Sequence, residues 1–318
     1  MSWFAGAVAA GLLAANVHGT PVFEFRDTAI NESSGLVDLG PLMVTTNDSG
    51  GGPEVFVVDA RSGRTVSTTR FADEVEDVEA LAPAGRDAVW VGDIGDNLVK
   101  RRSVQVYRVP VGRTDRVVDA PSYDLVYPDG AHDAESLVVG PDGRLRIITK
   151  NFLGGRVYVA PKNLDPGRPN KLQAGPPVDL YATDAAMFPD GKHVLVRGYG
   201  GALVLTFPAF EVVGQFGLPS QEQGEGVSIG RSGRVRLSSE GVNAPVLQIK
   251  LPADVRRAMS DPTTTADGGP GGGSDGGLDD DGVIVADEAG GIDWSWVGLG
   301  ALGVGAVALF LSLVRRRR

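Results

Sequence analysis

Residues 132–138 read HDAESLV, and versions of the same string recur along the chain: NESSGLV at 31–37, EDVEALA at 76–82, ATDAAMF at 182–188 and EQGEGVS at 222–228. Each sets an apolar anchor (Leu36, Leu81, Leu137, Met187, Val227) just after a polar or acidic step. The anchors return at intervals of roughly 40–55 residues, the period of a β-propeller blade of four strands. Most anchors are followed by an apolar run, a polar-Gly pair and a second apolar run. The pairs are Ser62-Gly63, Asp142-Gly143, Asp190-Gly191 and Ser232-Gly233. Short runs rich in β-branched residues, separated by such turns, are strands and hairpins.

The reading is therefore an all-β propeller of five four-stranded blades. Six is the alternative, with a degenerate blade inside the long interval between Leu81 and Leu137. A β-sandwich would make the repeat an accident. The fifth repeat is one strand short after residues 246–250, so residues 22–25, ahead of the first anchor, are expected to complete the last blade and close the ring. Closure removes sheet edges that would otherwise pair with other chains. Only residues 252–259 have helical character.

The two ends differ from this body. Residues 294–314 carry no charge and, at about 1.5 Å per residue, match a hydrocarbon core of about 30 Å. Trp294 and Trp296 stand at one edge, and Arg315 to Arg318 follow at the other. Cationic residues stay cytoplasmic, so the body is expected outside a cell membrane, on a single C-terminal transmembrane helix with a cytoplasmic Arg tail at 315–318. Residues 258–293, rich in Gly and Asp, are expected to form a flexible stalk. Residues 1–19 are expected to be a signal peptide or apolar leader, although no basic residue precedes the apolar run. The propeller ectodomain is assigned to 20–257.

The chain has no cysteine, which excludes disulfides, thiolate metal sites and cysteine nucleophiles. Its net charge of −10 gives no footprint for nucleic acid. No G-x-S-x-G elbow, P-loop or dinucleotide fingerprint occurs, and no catalytic residue can be named.

Acids precede four of the anchors: Glu32, Asp77 with Glu79, Asp133 with Glu135, and Glu225, with Asp184 one position out of step in the remaining repeat. On innermost strands they would converge on the axial channel, where like charges need a cation or a proton. Hard oxygen donors favour Ca2+ or Mg2+, with Ca2+ the cofactor expected. Asp77, Glu79, Asp133, Glu135 and Glu225 are the first candidates for metal ligands, with Glu32, Asp93 and Asp96 secondary. Asp93 and Asp96 lie in the loop GDIGDN, and a second oxygen-rich loop runs TNDSGGG from Thr46. Next to Gly, such residues also build turns. Lys100, Arg101 and Arg102 form a short basic cluster that could hold an anion. His132 and His193 are read as structural, with an acid/base or ligand role the alternative for His132.

The strings INESSGLV, NDSGGGPEVFVVDA, EDVEALA, WVGDIGDN and DAESLVV resemble a family of exported bacterial β-propellers of unestablished activity. More distantly, EGV at Glu225 and SSEG at Glu240 resemble the β-propeller phytases and the esterase-like phytase-family propellers. The likeness covers about residues 29–241. The phytase likeness implies Ca2+ and a basic, phosphate-accepting face. Two functions are thus expected. The first is a membrane-anchored binding module whose partner is a cell-envelope protein or glycan, with a divalent cation in an acidic channel. The alternative is a Ca2+-dependent phosphoesterase in which Lys100, Arg101 or Arg102 holds the phosphate.

Overall fold

The computed structural model describes residues 16–48 and 51–261. The expected leader and stalk, apart from their edges, and the whole of the expected span and Arg tail lie outside the described residues. Among the described residues no helix is long and apolar enough to cross a membrane.

Five sheets surround one axis. The first blade contains β2 (Ser33–Asp38), β3 (Leu42–Asn47), β4 (Glu54–Asp59) and β5 (Thr65–Arg70). The second contains β6 (Val78–Pro83), β7 (Ala88–Asp93), β8 (Val104–Pro110) and β10 (Ser122–Val126). The third contains β11 (Ala134–Val139), β12 (Leu145–Thr149), β13 (Gly155–Val159) and β15 (Gln173–Val178). The fourth contains β16 (Asp184–Met187), β17 (His193–Arg197), β18 (Gly201–Thr206) and β19 (Val212–Gly217). The fifth contains β20 (Gly224–Ile229), β21 (Val235–Ser239), β22 (Pro245–Ile249) and, as its outer strand, β1 (Gly19–Glu24).

The innermost strands β2, β6, β11, β16 and β20 each pack against the next, and β20 returns to β2. The ring is closed by β1, which pairs antiparallel with β22 from Gly19↔Ile249 to Glu24↔Pro245. The closing strand starts three residues earlier than the sequence suggests. Thr20 and Pro21 are exposed and polar or imino, so they carry no apolar signal, yet they continue the ladder. Just ahead of it, Val17 donates its N–H to Gly217 O of the fourth blade (2.9 Å).

Two short strands explain the long intervals between anchors. β9 (Arg116–Val117) leaves the second blade and pairs parallel with β5 at the edge of the first. β14 (Asn170–Lys171) leaves the third blade and pairs parallel with β10 of the second. The surplus residues between Leu81 and Leu137 therefore clasp neighbouring blades together and do not build a sixth.

Every blade is apolar on both faces, because each faces a neighbour. Leu137 and Ile147 pack into the layer between blades two and three, while the adjacent Val138 and Ile148 pack into the layer between three and four. This is why the strands read as unbroken apolar runs. The layer between the fifth blade and the first joins Phe23, Phe25 and Val246 to Leu36, Met43 and Phe56. Fully burying a side chain of this size contributes about 1.5–3 kcal/mol. The only helix among the described residues, α1 (Ala253–Ser260), lays Val255 against the fourth and fifth blades.

The acidic mouth of the axial channel

At one end of the ring each innermost strand begins beside the end of its neighbour: Ser33↔Asn47, Val78↔Asp93, Ala134↔Thr149, Asp184↔Arg197 and Gly224↔Ser239. In four blades the pairing slips just there. The slips fall between Ser33 and Leu36, Val78 and Ala80, Ala134 and Ser136, and Gly224 and Val227. An extra residue in one strand re-aims its side chain. The residues caught in these bulges are Ser34, Glu79, Glu135 and Glu225. The fourth blade has no bulge at this point; β16 pairs with β17 in continuous register. That difference puts its acid out of step. Asp184 is fully buried and accepts from the N–H of Ala185 (2.8 Å) and, across to the fifth blade, from Val227 (2.6 Å).

A second ring of positions lies one residue past the second strand of each blade. Asp48, Lys150 and Glu240 occupy it in the first, third and fifth blades. Each donates its backbone N–H to the carbonyl of Glu32, Asp133 or Gln223 respectively, at 2.9 Å in every case. The first, third and fifth blades thus supply the mouth from both positions, and closing the ring brings them together.

The geometry divides this mouth into three parts. Asp48, Asp77 and Glu79 bring carboxylate oxygens within 4.8 Å of one another across the first and second blades. Glu79 is 3 % exposed. Its carboxyl is raised well above its ordinary value by burial and by the charges of Glu135, Asp48 and Asp77. Lys150 forms the second part. Its ammonium pairs with Glu135, donates to Tyr199 Oη (3.3 Å), and lies 5.1 Å and 5.6 Å from the ring centres of Tyr181 and Tyr199. Burial opposes its charge, but Glu135, Tyr199 and Glu225 outweigh burial and hold its pKa above the ordinary value. The third part joins Glu225 to Glu240 through Gln223, whose Nε2 donates to both (3.3 Å and 2.5 Å). Burial pushes the Glu225 carboxyl up to about 7. Burial, with the charges of Glu225, Asp48 and Glu32, pushes Glu240 up to about 8. Arg197, fully buried behind them, spends its guanidinium on Gly226 O, Ser238 O and Gln221 Oε1.

The candidates read from sequence fall into two groups. Asp77, Glu79, Glu135 and Glu225 face the mouth, and the charge of Glu32 reaches Glu240. Asp133 lies at the edge, its Oδ1 accepting from the Asp96 N–H (2.8 Å). Asp93 and Asp96 are engaged by backbone N–H groups and by Arg101. Asp93 accepts from the N–H groups of Glu76 and Asp77 and from Arg101 Nη1 (3.0, 2.9 and 2.7 Å). Asp96 accepts from the N–H groups of Lys100 and Arg101. Arg101 is buried against Asp93, Gly95 O and Glu76, whereas Lys100 and Arg102 are exposed. His132 hydrogen-bonds to Asp129 (3.0 Å) and Tyr158 (2.9 Å), and His193 to Asp190 (2.7 Å). Asp48, Lys150, Glu240, Tyr181 and Tyr199 were not among the site candidates. Asp48, Lys150, Glu240 and Tyr199 share a position, one or two residues beyond the second strand of a blade, whereas Tyr181 stands just ahead of an inner strand.

No known protein family's sequence profile matches this chain, and no curated protein matches it. Among solved structures it is similar to a streptogramin B lyase, at 10% identity over 74% of this chain and 98% of that one, with a TM-score of 0.39. It is also similar to the PQQ-bound aldose sugar dehydrogenase of Streptomyces coelicolor, at 9% identity over 75% of this chain and 99% of that one, with a TM-score of 0.45. Neither likeness bears on what this chain binds or does.

Proposed function

We propose that this chain is a binding module displayed on the outer face of a cell membrane, with a divalent cation held at the channel mouth by Asp48, Asp77 and Glu79. The observation that carries this reading is the convergence of those three carboxylates, from two blades, with Glu79 buried among them. Buried like charges cost several kcal/mol unless a cation or proton compensates them. The donor set suits Ca2+, which takes about six to eight oxygens, so three carboxylates leave positions for water and for a ligand. The outward orientation rests on the uncharged residues 294–314 followed by four arginines.

A phosphoesterase needs a cation facing the phosphate. Arg101 is consumed by Asp93 and Glu76, and Lys150 by Glu135, which leaves only the exposed Lys100 and Arg102 to hold a phosphate, so hydrolysis is the second reading. The full-length chain should melt higher in Ca2+ than in EDTA. A ligand at 100 times its Kd adds about 2.7 kcal/mol, a shift of a few degrees in a domain of this size. Glu79→Gln and Asp77→Asn should abolish the shift. An unchanged melting temperature in the wild-type protein with either Ca2+ or Mg2+ would sink the metal assignment.

A further inference from the structure

We propose that the loop end of the propeller docks a protein segment carrying a basic side chain between apolar ones. The proposal rests on the binding-module reading but does not require the metal.

The first observation is where the exposed apolar side chains lie. Leu98 (70 %) and Val99 (56 %) sit in the loop after β7. Phe152 (77 %) and Leu153 (91 %) follow β12, Tyr181 (39 %) precedes β16, and Val242 (55 %) follows β21. By strand register all of these loops open at the end that carries the carboxylates. Among the described residues only Val117 and Val212 are large exposed apolar side chains located elsewhere. Apolar side chains gathered on one face and rimming a polar centre mark an interaction surface.

The second observation is unspent acceptor capacity at the centre. Oε2 of Glu135 and Oε2 of Glu225 have no hydrogen-bond partner among the described residues, although the two side chains are only 5 % and 3 % exposed. Lys150 and Arg197 are the bases of a mouth that holds Glu32, Asp48, Asp77, Glu79, Asp133, Glu135, Glu225 and Glu240. A divalent cation on Asp48, Asp77 and Glu79 would leave Lys150 and Arg197 to offset Glu135, Glu225 and Glu240, two bases against three acids. The charge therefore selects a cationic visitor and rejects an acidic one.

Lys150 shows how the mouth receives an ammonium group. It is held by a carboxylate, a tyrosine hydroxyl and the faces of two tyrosines. Tyr181 belongs both to that cage and to the exposed rim. A segment with a lysine or arginine directed at Glu225 would set its flanking apolar residues on Phe152, Leu153 and Tyr181.

The test uses the full-length chain and three capped synthetic peptides: Leu-Lys-Leu-Lys-Leu, Leu-Glu-Leu-Glu-Leu and Gly-Lys-Gly-Lys-Gly. Calorimetric titration, with Ca2+ and with EDTA, should show the first peptide binding more tightly than the other two in both conditions, and more weakly at high salt. Phe152→Ser combined with Leu153→Ser should weaken it by about tenfold or more, as loss of apolar anchors does. That variant should keep the wild-type melting temperature and Ca2+ response, which separates this proposal from the metal assignment. Equal affinity for all three peptides, or an unchanged affinity in the double variant, would overturn it. So would adsorption to phosphatidylcholine vesicles without peptide discrimination, which would assign the rim to a lipid surface.

Discussion

Lys150 and Glu135 show what a single pair does in this mouth. Together they place one positive and one negative charge where water is largely excluded. Removing one partner strands the other, so Lys150→Met should destabilise the protein by about 3–5 kcal/mol in urea unfolding. Adding Glu135→Gln should restore most of that loss. Equal damage in the single and double variants would show that packing of the lysine stem, and not charge, is what matters. Glu225 and Glu240 give the mouth a pH dependence. Both have folded pKa values raised from 4.5, to about 7 and about 8. The folded state therefore binds more protons than the unfolded chain between those limits, and stability falls as pH rises through them. Without metal, the melting temperature should drop from pH 5 to pH 9, and Glu225→Gln with Glu240→Gln should make the drop shallower, leaving the part due to Glu79 and Glu135. A wild-type melting temperature that rises over that range would contradict the assignment. The inner-strand acids were legible in sequence because they recur beside an apolar anchor. Lys150 was not, since its partners lie in another strand and another blade, and Asp48 was visible only as part of the oxygen-rich TNDSGGG loop, which also reads as a turn.

Among the elements, the bulged inner strand decides most. It turns the glutamates into the channel and packs the next residue against the neighbouring blade. Gly35 shows how tight that packing is: an added Cβ would lie 2.5 Å from the Leu81 backbone nitrogen, which cannot yield as a flexible side chain would. Gly35→Ala should cost about 1–3 kcal/mol, the usual penalty of overpacking. Gly200, where nothing lies within 4 Å of the added atom, is the control, and Gly200→Ala should stay within about 0.5 kcal/mol of wild type. Similar losses at the two sites, read from the urea midpoints, would mean that backbone entropy and not close approach governs both. Strand and turn positions were readable from the apolar runs and polar-Gly pairs; Gly143 and Gly191, for example, adopt φ of +75° and +67°. β9 and β14 were not, because a two-residue strand pairing in parallel with another blade has neither length nor periodicity to give it away.

For the whole molecule, the decisive fact is that the ring has a seam. The fifth blade takes three strands from the C-terminal part of the repeat region and one from its beginning. Counting strands in the last repeat is enough to anticipate this, since a blade one strand short leaves an open edge. The seam also governs the site: Asp48 and Glu32 come from the first blade, and Glu225 and Glu240 from the fifth. Phe25, fully buried just after β1, lies in the layer that joins those blades. Phe25→Ala should cost about 3–5 kcal/mol from the transfer and cavity terms. A ring differs from an open stack of repeats, in which blades could unzip from one end. Loss at the seam should therefore lower the single melting transition of the whole propeller and weaken Ca2+ binding together, although Phe25 belongs to the apolar layer between the blades. A variant that melts in two steps, with the first and fifth blades separating before the rest, would show that the seam is a local latch and that the remaining blades hold themselves.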